Sequence, residues 1–191
     1  WKIRIRKGVY FADDPAFKGA RRELTAHDFV YAMKRLMDPR MRSPNVFLLR
    51  GRLAGLDDAV AQAKPAGRLD YDAEVEGLRA LDRYTLQLKL AEPDYTFLPV
   101  LTATQTAAVA REVIEKYGDA SGWAMANPVG TGPFRLVEWR RAQRIVLQHF
   151  DNRIGDGVGI ERVEVNARIR DHLRQCAPVA REHRHAAGHG L

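Results

Sequence analysis

A rigid turn that leads at once into an alternating strand pattern is the feature that most constrains this chain. The turn, NPVGTGP at 127–133, holds two prolines and two glycines in seven residues. Proline fixes φ and lacks an amide donor, so a regular hydrogen-bond ladder cannot pass through this segment. Phe134, Leu136 and Trp139 then alternate with Arg135 and its neighbours, and a second alternating run spans 143–149. The segment therefore predicts a β-hairpin entered through a stiff turn.

The rest of the chain up to about residue 165 mixes strand and helix patterns. Period-two alternation predicts strands at 2–6, 75–81, 84–90 and 161–165. Helical spacing or capping signals predict helices at 25–37, 56–63, 95–101 and 107–117. Short turns join the strands, as at Asp82-Arg83, so neighbouring strands run antiparallel. This pattern predicts a mixed α/β (α+β) fold, with largely antiparallel strands and helices packed on them.

Three blocks in the same order along the chain resemble one protein family. The segment NPVGTGPFRLVEW, with QRIVLQ after it, resembles the signature of the family 5 extracellular solute-binding proteins. These are the peptide, dipeptide and nickel receptors of bacterial ABC importers. The opening block, WKIRIRKGVYF followed by LTAHDFVYAMKRLMD, resembles the family's strand, loop and helix, and GLRALDRYTLQLKLAEPDYTFLPVL resembles its hairpin and next helix. One loop, 12–19, is longer than the short Asp-Gly turn that is common in the family.

The resemblance implies a fold, a function and a location. It implies that residues 1–167 form a partial N-terminal lobe of a two-lobe, periplasmic binding protein-like clamshell. The implied function is to capture a small solute, an oligopeptide or dipeptide above all, and to deliver it to an ABC permease in the inner membrane. The resemblance further implies a monomer without cofactor, located in the periplasm or anchored at the cell surface. Because the chain opens in mid-strand without Met, we expect it to be a piece of a longer protein.

The loop at Ser43-Pro44-Asn45 is the candidate ligand contact. In oligopeptide-binding relatives the matching loop often reads Ser-Pro-aromatic and lies near the bound ligand, whereas Asn45 takes the place of the aromatic residue here. Ser43 and Asn45 are therefore the predicted ligand-binding residues, and the Asn45 amide offers hydrogen bonds to a peptide backbone. The alternative interpretation is that Asn45 is an ordinary turn residue after proline.

The last 24 residues depart from the family pattern. Residues 168–191 contain four of the six histidines and lack Phe, Trp and Tyr, and they show no sustained period. We expect this segment to be a divergent, disordered or out-of-frame tail. The segment contains five residues of the kinds that bind metal ions, Cys176, His172, His183, His185 and His189. These residues lack the fixed short spacing of zinc sites, so no metal site is predicted.

Charge and motifs exclude several function classes. The net charge is +7, but the basic residues are spread along the chain without an aromatic-interleaved stripe, so we predict no nucleic-acid partner. Gly130-Thr131-Gly132 lacks both the following helix of a dinucleotide turn and the Lys of a phosphate loop. No activated nucleophile or facing carboxylate pair is apparent, so we predict no enzyme and no catalytic residues. The open alternative to solute capture is an interaction module without ligand that binds an anionic partner.

Overall fold

The computed structural model describes residues 1–118, 126–140 and 142–149, and the backbone of one further strand at Arg162–Asn166. Among these residues, one compact unit comprises 1–133, and a second comprises 134–149 with the strand at 162–166. The predictions for the tail at 168–191, including its cysteine and histidines, lie outside the described residues.

The first unit is a three-stranded antiparallel sheet with helices packed on it. The sheet has the order β1-β3-β2, from strands β1 (Lys2–Arg4), β2 (Leu78–Asp82) and β3 (Thr85–Leu88). The helices are α1 (Ala26–Met37), α2 (Leu56–Ala63), α3 (Phe97–Val100) and α4 (Arg111–Tyr117). Short 3-10 turns occur at Pro15–Phe17, Pro39–Met41, Val46–Leu48 and Thr104–Thr106. The predicted mixed α/β class is confirmed.

Alternation in the hairpin strands builds the main core. Leu86 pairs with Ile3 on one side and with Ala80 on the other, and Leu88 pairs with Leu78, so their side chains share one face of the sheet. Leu78, Leu86 and Leu88 are buried against apolar residues of α1, α2 and α3. Burial of this apolar face is the main favourable contribution to the fold of the unit.

Helix α1 begins where the sequence predicts it. Thr25 is the N-cap residue, and the Asp28 carboxylate accepts hydrogen bonds from the Thr25 N–H (2.7 Å) and the Thr25 hydroxyl (2.8 Å). The helix ends at Met37, because Pro39 forces Asp38 into an extended conformation. The apolar spacing within the helix places Met33 and Met37 in the main core.

A second, smaller core includes part of the long loop at 12–19. Asp14 Oδ1 accepts from the Ala16 N–H (2.7 Å) at the start of a 3-10 turn, and Phe17 at the end of that turn is buried. Phe17 packs with Phe11 and with Val113 of α4. The sequence predicted only a loop longer than is common in the family, but the one aromatic residue of this loop contributes to a core.

The second unit is the predicted hairpin extended by a third strand. Strands β4 (Phe134–Arg140), β5 (Arg144–His149) and β6 (Arg162–Asn166) form an antiparallel sheet in that order. The register shifts between Leu136 and Glu138, so that Leu136 pairs with Leu147 and Trp139 pairs with Ile145. A β-bulge of this kind moves Trp139 onto the face that carries Phe134 and Leu136. The predicted grouping of these three residues on one face is confirmed.

Two predicted helices differ from the structure. The helix predicted at 95–101 is α3, which spans only Phe97–Val100, and Tyr95 is 94% exposed. Phe97 and Val100 face the main core, so only one face of this short helix is buried. The helix predicted at 107–117 begins at Arg111 and ends, as predicted, before Gly118, which has φ 75°.

Candidate functional site

The candidate loop that contains Ser43 and Asn45 begins at a buried carboxylate. Asp38 Oδ1 accepts from the Arg40 N–H (2.9 Å), and Asp38 Oδ2 accepts from the Tyr71 hydroxyl (2.6 Å). The 3-10 turn at Pro39–Met41 follows, and Arg42 then adopts the left-handed conformation with φ 46° and ψ 38°. Few residues other than glycine adopt this conformation, so the turn at Arg42 is held by its surroundings.

Ser43 and Asn45 lie next to each other in a tight local turn. The Ser43 Oγ accepts from the Asn45 N–H at 3.2 Å, and the Asn45 carbonyl accepts from the Leu48 N–H at 3.1 Å. Asn45 is the N-cap residue of the 3-10 turn at Val46–Leu48, yet its side chain makes no capping hydrogen bond. Both residues are half-buried. The Asn45 side-chain amide and the Ser43 hydroxyl hydrogen therefore have no hydrogen-bond partner among the described residues.

The other end of the loop is fixed by core leucines and backbone pairing. Leu49 and Leu53 are buried in the main core. The Arg52 carbonyl accepts from the Ala91 N–H (2.9 Å), and the Gly51 N–H donates to Asp57 Oδ2 (2.7 Å). Phe47, between these fixed points, is 63% exposed. The loop therefore presents an aromatic ring to solvent from a well-supported backbone.

The same loop carries an excess of positive charge. Residues 39–56 include four arginines and no Asp or Glu. Arg52 forms an ion pair with Asp94 (3.4 Å), but Arg40, Arg42 and Arg50 are exposed and make no ion pair within the part of the chain that the structure describes. The loop thus combines two hydrogen-bonding side chains, an exposed ring and three available guanidinium groups.

A cleft of about 300 Å³ lies between α1 and α4. His27, which is exposed in the first turn of α1, lines it. The Arg22 guanidinium binds Asp28 (2.6 Å) and Glu112 (2.8 Å). Arg111 binds Asp72 (2.5 Å) and Glu115 (2.6 Å). Both arginines of this cleft are therefore engaged in ion pairs that join α4 to the rest of the unit.

The electrostatics of this cleft agree with a structural role. Burial opposes the charge of Arg22, but hydrogen bonds to Glu112 and Asp28 outweigh it and raise the pKa of Arg22. Burial likewise acts to raise the pKa of Glu112, but the hydrogen bond from Arg22 brings it below its ordinary value. The hydrogen bond from Arg111 lowers the pKa of Asp72. Each of these groups is held in its charged form by a partner within the protein.

A family model identifies the chain. The description "Bacterial extracellular solute-binding proteins, family 5 Middle" applies to residues 1–168. The chain belongs to this family. The resemblance carried by the three sequence blocks is therefore confirmed, and the family consists of solute-binding transport proteins.

Individual relatives agree with this assignment. The chain is 35% identical over 158 residues to the periplasmic oligopeptide-binding protein OppA of Salmonella typhimurium, a match that covers 80% of this chain and 26% of the relative. It is 29% identical over 154 residues to the probable ABC transporter periplasmic-binding protein SapA of Escherichia coli, with coverage of 80% and 26%. The chain thus spans about a quarter of the length of these curated relatives.

Solved structures support the fold. OppA of Burkholderia pseudomallei superposes with a TM-score of 0.67 at 24% identity, covering 94% of this chain and 33% of that one. A periplasmic oligopeptide-binding protein of Borrelia burgdorferi superposes with a TM-score of 0.70 at 20% identity, covering 95% and 33%. Among the described residues, the helices are too short or too polar to cross a bilayer.

Sequence reasoning missed several residues of the candidate loop. It selected Ser43 and Asn45 by their place in a motif, but did not select Phe47 or the arginines. A count of charges in the window 39–56 would have revealed the basic loop. The exposure of Phe47 depends on how Leu49 and Leu53 anchor the chain in the core, and the sequence gives no signal for it.

Proposed function

We propose that this chain is part of the substrate-binding component of an ABC importer that captures peptides for uptake. The observation that carries the proposal is the loop at Ser43–Phe47, where two polar side chains and an exposed ring project from a fixed backbone. Peptide-binding sites use a few oriented polar groups beside apolar surface, and this loop supplies both. The names of the relatives, oligopeptide-binding and peptide transport proteins, support peptide as the ligand class.

The finer points of the proposal follow from the family. In the proposed receptor this chain belongs to one lobe, and a second lobe closes over the ligand by hinge motion. The receptor is located in the periplasm or at the cell surface and delivers its ligand to an ABC permease. It acts as a monomer and catalyses no reaction. Ser43 and Asn45 donate hydrogen bonds to the peptide backbone, and Phe47 contacts a side chain.

The test is an NMR titration of the ¹⁵N-labelled 191-residue chain with a mixture of di- to pentapeptides. Because one lobe supplies only part of the contacts, we expect saturable amide shifts in the millimolar range, centred on residues 43–48. Asn45→Ala should reduce these shifts, whereas Thr104→Ala, an exposed substitution in another turn, should leave them unchanged. If no peptide shifts the loop amides, the proposal is wrong.

A further inference from the structure

We infer that the loop favours peptides that carry acidic side chains. This inference rests on the proposed function and adds the chemical class of the ligand. The observation behind it is the excess of basic residues at 39–56, where Arg40, Arg42 and Arg50 are exposed without an ion-pair partner in the described part of the chain.

Three neighbouring carboxylates have partners other than these arginine side chains. Asp38 precedes the loop and is buried, with its two oxygens bound to the Arg40 N–H and the Tyr71 hydroxyl. Asp57 follows the loop and accepts the Gly51 N–H through Oδ2. Asp94 is paired with Arg52. Asp38, Asp57 and Asp94 therefore make local hydrogen bonds or pair with Arg52. Asp58, the next acid along the chain, is exposed and forms no ion pair with Arg40, Arg42 or Arg50 among the described residues.

Several other arginines of the first unit are engaged in ion pairs. Arg79 pairs with Glu74, Arg83 with Glu23, and Arg111 with Asp72 and Glu115. Arg4, Arg6, Arg21 and Arg68 are also exposed without an ion pair among the described residues, but they lie outside the loop. What distinguishes the loop is that three such arginines fall within residues 40–50, the stretch that also holds the two predicted ligand contacts. Guanidinium binds carboxylate through two parallel hydrogen bonds, which gives both strength and geometric selectivity.

The size of the site favours a peptide over a membrane surface. Recognition of anionic lipid usually takes a cluster of about four to eight basic residues, more than the three available here. The loop also presents hydrogen-bonding groups at Ser43 and Asn45 and an apolar ring at Phe47, which match a peptide backbone and side chain. We therefore assign the site to an acidic residue of a bound peptide, with a neighbouring apolar residue against Phe47.

The experiment compares three peptides of equal length, Ala-Glu-Ala, Ala-Gln-Ala and Ala-Lys-Ala, by NMR titration of the full 191-residue chain. We expect the glutamate peptide to bind best and the lysine peptide least well. Exposed ion pairs are weak, so each arginine should contribute about a two- to five-fold preference for glutamate over glutamine. Added salt should reduce the preference, because it screens exposed charges.

Two double variants with the same change in net charge locate the effect. Arg42→Gln with Arg50→Gln should largely remove the preference for glutamate. Arg4→Gln with Arg6→Gln, at two exposed positions in β1 and just after it, should preserve it. An equal preference in both variants would overturn the inference while leaving the proposed function intact. If no peptide shifts the loop amides, the proposed function itself fails.

A sedimentation experiment with lipid vesicles tests whether the basic loop binds an anionic membrane instead of a peptide. The chain is sedimented with phosphatidylcholine vesicles, with and without phosphatidylglycerol. We expect no difference between the loop variant and the β1 variant. Binding to the anionic vesicles that only the loop variant loses, together with no preference among peptides, would overturn the inference in favour of a membrane contact.

Discussion

At the scale of single residues, Gly77 lies so close to neighbouring backbone that only glycine fits at this position. Its N–H donates to the Ala54 carbonyl (2.7 Å), and its carbonyl accepts from the Lys89 N–H (3.0 Å). A Cβ at this position would lie 2.5 Å from the Ala54 oxygen and 2.7 Å from the Lys89 oxygen. These are backbone atoms that cannot rotate away, so the glycine is required by space and not by a positive φ.

We therefore predict that Gly77→Ala lowers the free energy of unfolding by about 1–3 kcal/mol, the usual cost of overpacking. Urea denaturation followed by circular dichroism measures the change. Gly132→Ala is the matched control, because a Cβ there meets nothing within 4 Å. Equal midpoints for the two variants would show that the segments at 54, 77 and 89 are not packed as described.

Glu23 provides a prediction about pH. Its carboxylate accepts hydrogen bonds from the Gly8 N–H (2.8 Å), the Tyr84 hydroxyl (2.8 Å) and the Arg83 guanidinium (3.0 Å). The Gly8 bond is the largest of the effects that lower the pKa of Glu23 below 4.5. Because the folded-state pKa is depressed, the stabilisation is present above the unfolded-state pKa and is lost as the pH falls through the folded-state value.

Glu23→Gln should accordingly lower the melting temperature at pH 7. The difference in melting temperature between this variant and the unchanged chain should become smaller as the pH is lowered from about 5 to about 3. Melting curves at a series of pH values measure it, with Glu92→Gln, an exposed glutamate, as the control. A gap that stays constant over this pH range would contradict the assigned role of the Glu23 carboxylate.

At the scale of elements, the start of α1 depends on its cap. Thr25→Ala removes the hydroxyl that donates to the Asp28 carboxylate, and the loss of such a cap costs about 0.5–2 kcal/mol. Thermal denaturation should show a lower midpoint for this variant. Thr104→Ala, at an exposed position in another turn, should change stability by less than about 0.5 kcal/mol. An unchanged midpoint for Thr25→Ala would mean that the helix does not rely on this cap.

Elements were predictable where their signal is local. The helix predicted at 56–63 is α2 with the same bounds, and the strands on either side of Asp82-Arg83 form the expected hairpin. The start of α3 was wrong because Tyr95 fits a helical pattern, but no core surface lies opposite it. The role of Phe17 was missed because an inserted loop has no periodicity, and only tertiary packing places its ring in a core.

Long-range contacts were not predictable from one sequence. Arg22 reaches Glu112, which lies 90 residues away along the chain, and Gly77 lies against Ala54, which precedes the hairpin by a helix. Such pairs follow from the way α4 and the hairpin pack, and no local spacing encodes them. At the candidate site, a sequence motif was enough to select Ser43 and Asn45. The contacts that fix the backbone around them, made by Asp38 and the core leucines, were visible only in the structure.

At the scale of the whole molecule, the decisive fact is that the chain spans about a quarter of its curated relatives. In the proposed receptor a ligand is held between two lobes, so this chain alone supplies only part of the contacts. Affinity depends exponentially on binding free energy, so losing even half of a favourable 8 kcal/mol changes a micromolar complex into a millimolar one, by about a thousand-fold. The free chain also pays the full entropy of association without the gain from closure.

We therefore predict that calorimetry of the 191-residue chain with a library of di- to pentapeptides shows no heat of binding at micromolar concentrations. The NMR titration at millimolar peptide remains sensitive to the same loop, so the two measurements together separate weak binding from none. Micromolar affinity for any one peptide would contradict the prediction. It would mean that the contacts around Ser43, Asn45 and Phe47 suffice by themselves, and that closure by a second lobe adds little to capture.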